Sequence, residues 1–276
     1  MSQAIEDEPG RRAPASEQLR ILLGEQLVVL HARDAGVRLG ADPEDLKRFR
    51  IAARRARALI RVTRRFLDGR LAELEAELRW LGGVLGPVRD LDVLLDHLRG
   101  LVNELGESGA TVLALLEEER EQARAEMLAA LESARYAELL TLFANDLESL
   151  AASPVHIRLG RLARAERKRL RGAYAALGAV PGDDELHSLR LKVKRARYST
   201  ELAARKRSED VLRPLKSLQD VIGAHQDSVV AERRLRSLAE GRAELAVEPI
   251  IEIEQARRQQ ARGELAGAWK RLRREL

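Results

Sequence analysis

Apolar positions along residues 46–67 recur every three or four residues rather than every second. Set about 100° apart, Phe49, Ala53, Ala56, Ile60 and Leu67 share one arc of a helix. Beside it, within roughly 100° of surface, lie Lys47, Arg50, Arg54, Arg57, Arg61, Arg64 and Arg65. Residues 186–199 repeat the design. Leu189, Val193 and Ala196 form the apolar face, and His187, Arg190, Lys194 and Arg197 flank it at spacings of 3, 4 and 3. The segment before it carries Arg161, Arg164, Lys168 and Arg171 at the same spacings; the matching first-half segment, 16–38, lacks that stripe. No alternating strand pattern competes, so the chain is expected to be all-α.

Glycine, proline and small polar clusters predict breaks at 39–45, 67–70, 85–90, 105–110, 151–155, 180–184, 222–227 and 240–244. Asp42 and Asp183 or Asp184 suit N-caps, Pro43 suits a first turn, and Gly40, Gly86 and Gly223 suit helix ends. The breaks expose an internal repeat. Residues 46–59 align with 186–199 at an offset of 140, and 78–93 align with 215–230 at an offset of 137. The expected organisation is a disordered tail (1–15) and two similar helical bundles (16–150 and 151–276) about a pseudo-twofold axis.

Charge sharpens this picture. The chain of 276 residues is 34% charged and 3% aromatic, with a net charge of +5. Residues 151–276 hold 28 basic and 17 acidic residues; residues 16–150 hold 19 and 24. Carboxylates normally intersperse a cationic helix face at i±4 and support the helix. Between Lys47 and Leu67 there are none. Stability alone does not account for such stripes, whereas guanidinium forks match phosphate oxygens. With no cysteine, disulfides and thiolate metal sites are excluded. No apolar run approaches the roughly 20 residues that span a bilayer. The polar start does not read as a signal peptide. A soluble, cytoplasmic protein is expected.

The stretches "LKRFRIAARRARAL", "LRWLGGVLGPVRDLDVLL", "LHSLRLKVKRARY" and "LKSLQDVIGAHQDSVV" resemble, in order and spacing, the motifs of the CHAD domain family (conserved histidine α-helical domain). The resemblance covers roughly residues 16–276. It departs at Lys47, where the family's first-half helix carries a histidine. It implies two helical bundles around a basic central groove, no catalysis and no cofactor. It also implies binding of inorganic polyphosphate, with other polyanions as lesser partners, and placement at polyphosphate granules. The candidate contacts are Lys47, Arg50, Arg54, Arg55, Arg57 and Arg61, then Arg161, Arg164, Lys168 and Arg171, then His187, Arg190, Lys194, Arg195, Arg197 and the hydroxyl of Tyr198.

Other chemistries fit less well. His187 as a phosphoacceptor does not explain a cationic face many residues long. His31, His97, His156 and His225 show no i,i+4 histidine pairing, so no metal site is expected. Asp90, Asp92, Asp220 and Asp227 read as caps and ion-pair partners rather than acid–base catalysts. "EIEQA" (252–256) lacks the lysine that a triphosphate tunnel strand needs, and lies in a helical stretch. The alternative function is nucleic-acid binding through the same basic face.

Overall fold

Asp42 sets the first helix boundary as its sequence position predicts. Its side chain accepts a hydrogen bond from the Glu44 amide at 2.8 Å, and Pro43 opens the helix. Just upstream, Gly40 closes the preceding helix at φ 73. The Arg124 guanidinium, donating to the Arg38 carbonyl at 2.8 Å, occupies the space where a Cβ of residue 40 would project.

The computed structural model describes residues 15–101, 106–152, 159–203, 208–242 and 245–276. Its helices are α1 (Ala15–Leu39), α2 (Pro43–Thr63), α3 (Ala72–Arg99), α4 (Gly106–Glu132), α5 (Ala134–Ala152), α6 (Leu159–Ala175), α7 (Asp183–Leu202), α8 (Ser208–Ala239) and α9 (Glu248–Arg273), with a 3-10 turn at Arg64–Phe66. No strand occurs among the described residues, and no helix among them is long and apolar enough to cross a membrane. The predicted tail lies outside the described residues apart from Ala15, which opens α1.

Two expected breaks are corrected. Residues 85–90 and 222–227 are not turns; α3 and α8 run through both, and Gly86 and Gly223 lie mid-helix. A mid-helix glycine costs about 1 kcal/mol relative to alanine. Burial outweighs it, because Leu81, Leu85 and Val88 on α3, and Leu218 and Ile222 on α8, are each at most 2% exposed. The capping aspartates of α7 are also corrected. Gly182 is the cap, its amide donating to Glu185 at 2.7 Å. Asp183 instead pairs with Arg262 of α9 and faces His225 at 3.3 Å. The α4–α5 break at Ser133 carries no glycine or proline and was not expected.

Three apolar cores hold the helices. The first joins α1, α2, α3, α5 and the end of α4, and takes in Leu162 of α6 with Tyr198 and Leu202 of α7. The second gathers Leu95 and Leu98, Leu116, Leu235 and Ile250 from α3, α4, α8 and α9. The third lies among α6–α9, around Leu170, Leu189, Val193, Leu218 and Trp269. Two of these cores therefore combine residues from both sides of position 150. The first has a direct consequence for the cations. By seating Tyr198 and Leu202, it clamps α7 beside α2.

Candidate anion-binding cleft

The two basic helices face each other. Glu201 of α7 bridges the seam, 3.5 Å from Arg55 on α2 and 3.4 Å from Arg197 on its own helix. The Arg197 guanidinium also sits over the Tyr198 ring, 5.0 Å from its centroid. Along the seam a cleft of about 830 Å³ opens between α2, the 3-10 turn, α6 and α7. Arg54, Arg57, Arg61, Arg64, Arg65, Arg169, Lys194 and Arg195 line it. The acidic lining residue is Glu166, and the aromatic one is Tyr198.

Five of these cations, Arg54, Arg57, Arg64, Arg65 and Lys194, have no carboxylate within ion-pair distance among the described residues, whereas Arg61 lies 3.6 Å from Glu75 and Arg169 and Arg195 pair with Glu166. Arg57 is half-buried and its Nε has no hydrogen-bond partner; the same holds for Arg190. An unpaired donor out of water is costly. The charges also disfavour one another. Desolvation, followed by the charges of Arg190, Arg54, Arg197 and Arg50, pushes Lys194 down to about 8. Desolvation also lowers Arg190, with Arg54 and Arg50 adding to it and Asp227 opposing. Arg57 is lowered by desolvation and by Arg61 and Arg79, against Glu75. Two helices that repel across a seam are held there by apolar packing beneath it.

The predicted contacts therefore separate into several groups. Arg54, Arg57, Arg61, Lys194, Arg195 and Tyr198 line the cleft. Tyr198 is 6% exposed and belongs mainly to the core. Arg50 and Arg190 extend the seam toward acids: Arg50 lies 2.9 Å from Asp90, and Arg190 acts on Asp227. Desolvation raises Asp227 above the usual carboxylate range, against the pull of Arg190, His97 and Lys194. Arg55 and Arg197 serve the helix–helix joint through Glu201, and Lys47 pairs with Glu44 at 2.9 Å. His187 is exposed and lies 3.3 Å from Gln226.

The last group is the α6 stripe. Arg161, Arg164, Lys168 and Arg171 are exposed and lie outside the cleft lining. Another α6 face enters the cleft, with Leu162, Glu166 and Arg169 at i, i+4 and i+7. Arg169 and Glu166 were missed from sequence because neither falls on a charged stripe. The only available signal was the apolar phase of Leu162, Ala163 and Leu170, which marks the inward side of α6. Arg64 and Arg65 fall on the predicted arc, but reach the cleft from the 3-10 turn rather than from α2.

A second polar cluster sits where α3 meets α9. His97 Nε2 lies 2.6 Å from Glu254 Oε1, and Arg257 lies 2.9 Å from the same histidine nitrogen and 3.1 Å from Glu254. Glu254 is fully buried. Desolvation works to raise it, but hydrogen bonds from His97 and Ser228 and the charges of His97 and Arg257 leave it lowered. Among the described residues, no group of three or more His, Asp or Glu is placed to hold a metal.

Comparisons agree with this architecture. The CHAD domain family model matches residues 21–236. The crystal structure of the CHAD domain from the plant Ricinus communis superposes with a TM-score of 0.73 at 28% identity, covering 92% of this chain and 87% of that one. PptA from Streptomyces chartreusis has the same fold, with a TM-score of 0.74 at 23% identity over 94% and 100% of the two chains. Two uncharacterized Mycobacterium tuberculosis proteins, MT2285 and Rv2226, are each 29% identical over 247 residues, 82% of this chain and 46% of theirs. The chain thus spans about half the length of these curated relatives. With the family model matching most of its length, the chain belongs to the CHAD domain family.

Proposed function

We propose that the protein is a non-catalytic binder of inorganic polyphosphate, and that this binding places it at polyphosphate granules in the cytoplasm. One observation carries the reading: α2 and α7 turn their cations onto a single cleft in which Arg54, Arg57, Arg64, Arg65 and Lys194 have no carboxylate partner among the described residues. Polyphosphate is a flexible linear polyanion without bases. Its binder needs a track of cations and no stacking platforms. Single-stranded nucleic-acid sites rely on exposed aromatics for base stacking. Here the aromatic side chain in the lining is a nearly buried tyrosine. Guanidinium forks engage the non-bridging oxygens, and counterion release makes affinity fall steeply with salt.

The test is competition. Labelled long-chain polyphosphate is bound to the full chain, and DNA or RNA is added at equal phosphate. Retention of the polyphosphate supports the reading; complete displacement overturns it in favour of nucleic-acid binding.

A further inference from the structure

Glu166 is out of place in a site built for anions. It is 4% exposed, lines the cleft, and sits among eight lining cations. A buried carboxylate costs free energy unless it is paired. Glu166 is paired twice, with Arg169 of its own helix and with Arg195 of α7 at 3.5 Å. Both contacts fall on Oε1. Both arginines keep about half of their side-chain surface exposed. The carboxylate thus presents an acceptor to the same space into which the guanidinium groups donate.

A carboxylate accepts hydrogen bonds and offers none. Beside an incoming anion it repels any oxygen that lacks a proton and bonds to one that carries a proton. Internal units of a linear polyphosphate have no such proton near neutral pH, and sulfate esters have none. The terminal unit carries one in mild acid, since the second ionisation of a terminal phosphate falls near that of a phosphate monoester, about pH 6. We propose that Glu166 is a specificity-determining residue that selects the protonated terminal phosphate of the chain over internal phosphates and over sulfated polyanions. The inference rests on the polyphosphate reading above and adds an end-recognition step to it. Arg169 and Arg195 bind the charged oxygens of the terminal unit, while Glu166 accepts its P–O–H.

The experiment compares two polyphosphates of one length, one with free ends and one whose terminal units are alkyl-esterified and so lack the P–O–H. At about pH 5.5, where most free ends keep the proton, the full chain should bind free ends at least about tenfold more tightly, equivalent to about 1.4 kcal/mol. The preference should shrink between about pH 5 and 7 as the terminal unit loses its proton. Glu166→Gln should reduce the preference to under about threefold. Equal affinity for both chains in the unaltered protein overturns the inference, as does a Glu166→Gln loss of the same size on both chains, which would make Glu166 only a support for Arg169 and Arg195. Either result leaves the polyphosphate reading standing. Failure of the unaltered protein to bind either chain overturns that reading itself. The end preference and its pH profile need no variant, so the inference remains testable even if Glu166→Gln does not fold.

Discussion

The α2–α7 seam and the α3–α9 junction are both polar contacts between long helices, but they treat charge in opposite ways. At the junction, Glu254 is fully buried with His97, Arg257 and Ser228 around it, and its carboxylate is held below the ordinary range. In the seam, Arg57 and Arg190 retain Nε donors without partners, and Lys194 is pressed down to about 8 by desolvation and neighbouring cations. The junction pairs Oε1 of its carboxylate within the chain, while Oε2 has no hydrogen-bond partner. On the proposed function, an external anion is what completes the seam. Local instability of this kind marks binding sites, because the ligand relieves what the fold leaves strained.

The largest effect expected follows from removing that attraction. Arg54→Glu combined with Arg57→Glu deletes two charge-assisted contacts worth about 1.5–3 kcal/mol each. Polyphosphate affinity should fall by more than about a hundredfold, as read by fluorescence anisotropy. The melting temperature should hold, since Arg54 is exposed and the charge of Arg57 is already disfavoured in the fold. Retained affinity would mean that the seam is not the binding surface.

The junction should respond the other way. Glu254→Gln leaves His97 and Arg257 without their carboxylate, and breaking a buried pair costs about 3–5 kcal/mol. Thermal unfolding should begin several degrees lower, at roughly 2–4 °C per kcal/mol, while the folded variant binds polyphosphate as before. Because Glu254 is lowered from 4.5, its contribution is present above that value and is lost as pH falls through its folded-state value. The gap between variant and parent should therefore close in acid. A parallel loss of affinity would make the junction part of the binding surface.

Lys194 tests both properties in one residue. Its ordinary value of 10.5 falls to about 8 in the fold. Below pH 8 the folded state bears the full cost of the charge; between 8 and 10.5 the unfolded chain keeps the proton that the folded chain has shed, and that cost disappears. Lys194→Met should therefore stabilise the protein by roughly 1–3 kcal/mol at neutral pH, with the advantage vanishing by about pH 10.5. The same variant should bind polyphosphate about tenfold more weakly. In the parent protein, a bound anion restores the proton, so binding near pH 8 should take up protons, measurable by titration calorimetry in buffers of different ionisation heat. Lower stability of the variant would contradict the account of the seam.

How much of this is legible in sequence depends on the range of the interaction. The apolar phase of α2 and α7 and the boundaries at Asp42 and Gly40 are local, and they read correctly. Residues 85–90 and 222–227 look like breaks because glycine and proline act locally, whereas the burial that keeps α3 and α8 continuous comes from other helices. The facing of α2 and α7 depends on Tyr198 and Leu202 docking in a core built mostly by the first half of the chain, and nothing in the α7 segment alone announces it.

The smallest effect concerns α6, whose stripe has the same spacings as that of α7. Arg161, Arg164, Lys168 and Arg171 look as convincing in sequence as His187, Arg190, Lys194 and Arg197. Spacing defines a face, and packing decides what that face meets. The α6 face is exposed and separate from the cleft lining, so its charges act through solvent and are screened within about 8 Å at physiological ionic strength. Neutralising it with Arg161→Gln, Lys168→Gln and Arg171→Gln should weaken polyphosphate binding by less than about twofold at 0.15 M salt and somewhat more at low salt. The control is Arg169→Gln, on the same helix but in the cleft, which should cost about tenfold. If the outer triple variant instead loses as much as Arg169→Gln, the polyanion wraps over α6, and the track is wider than the cleft.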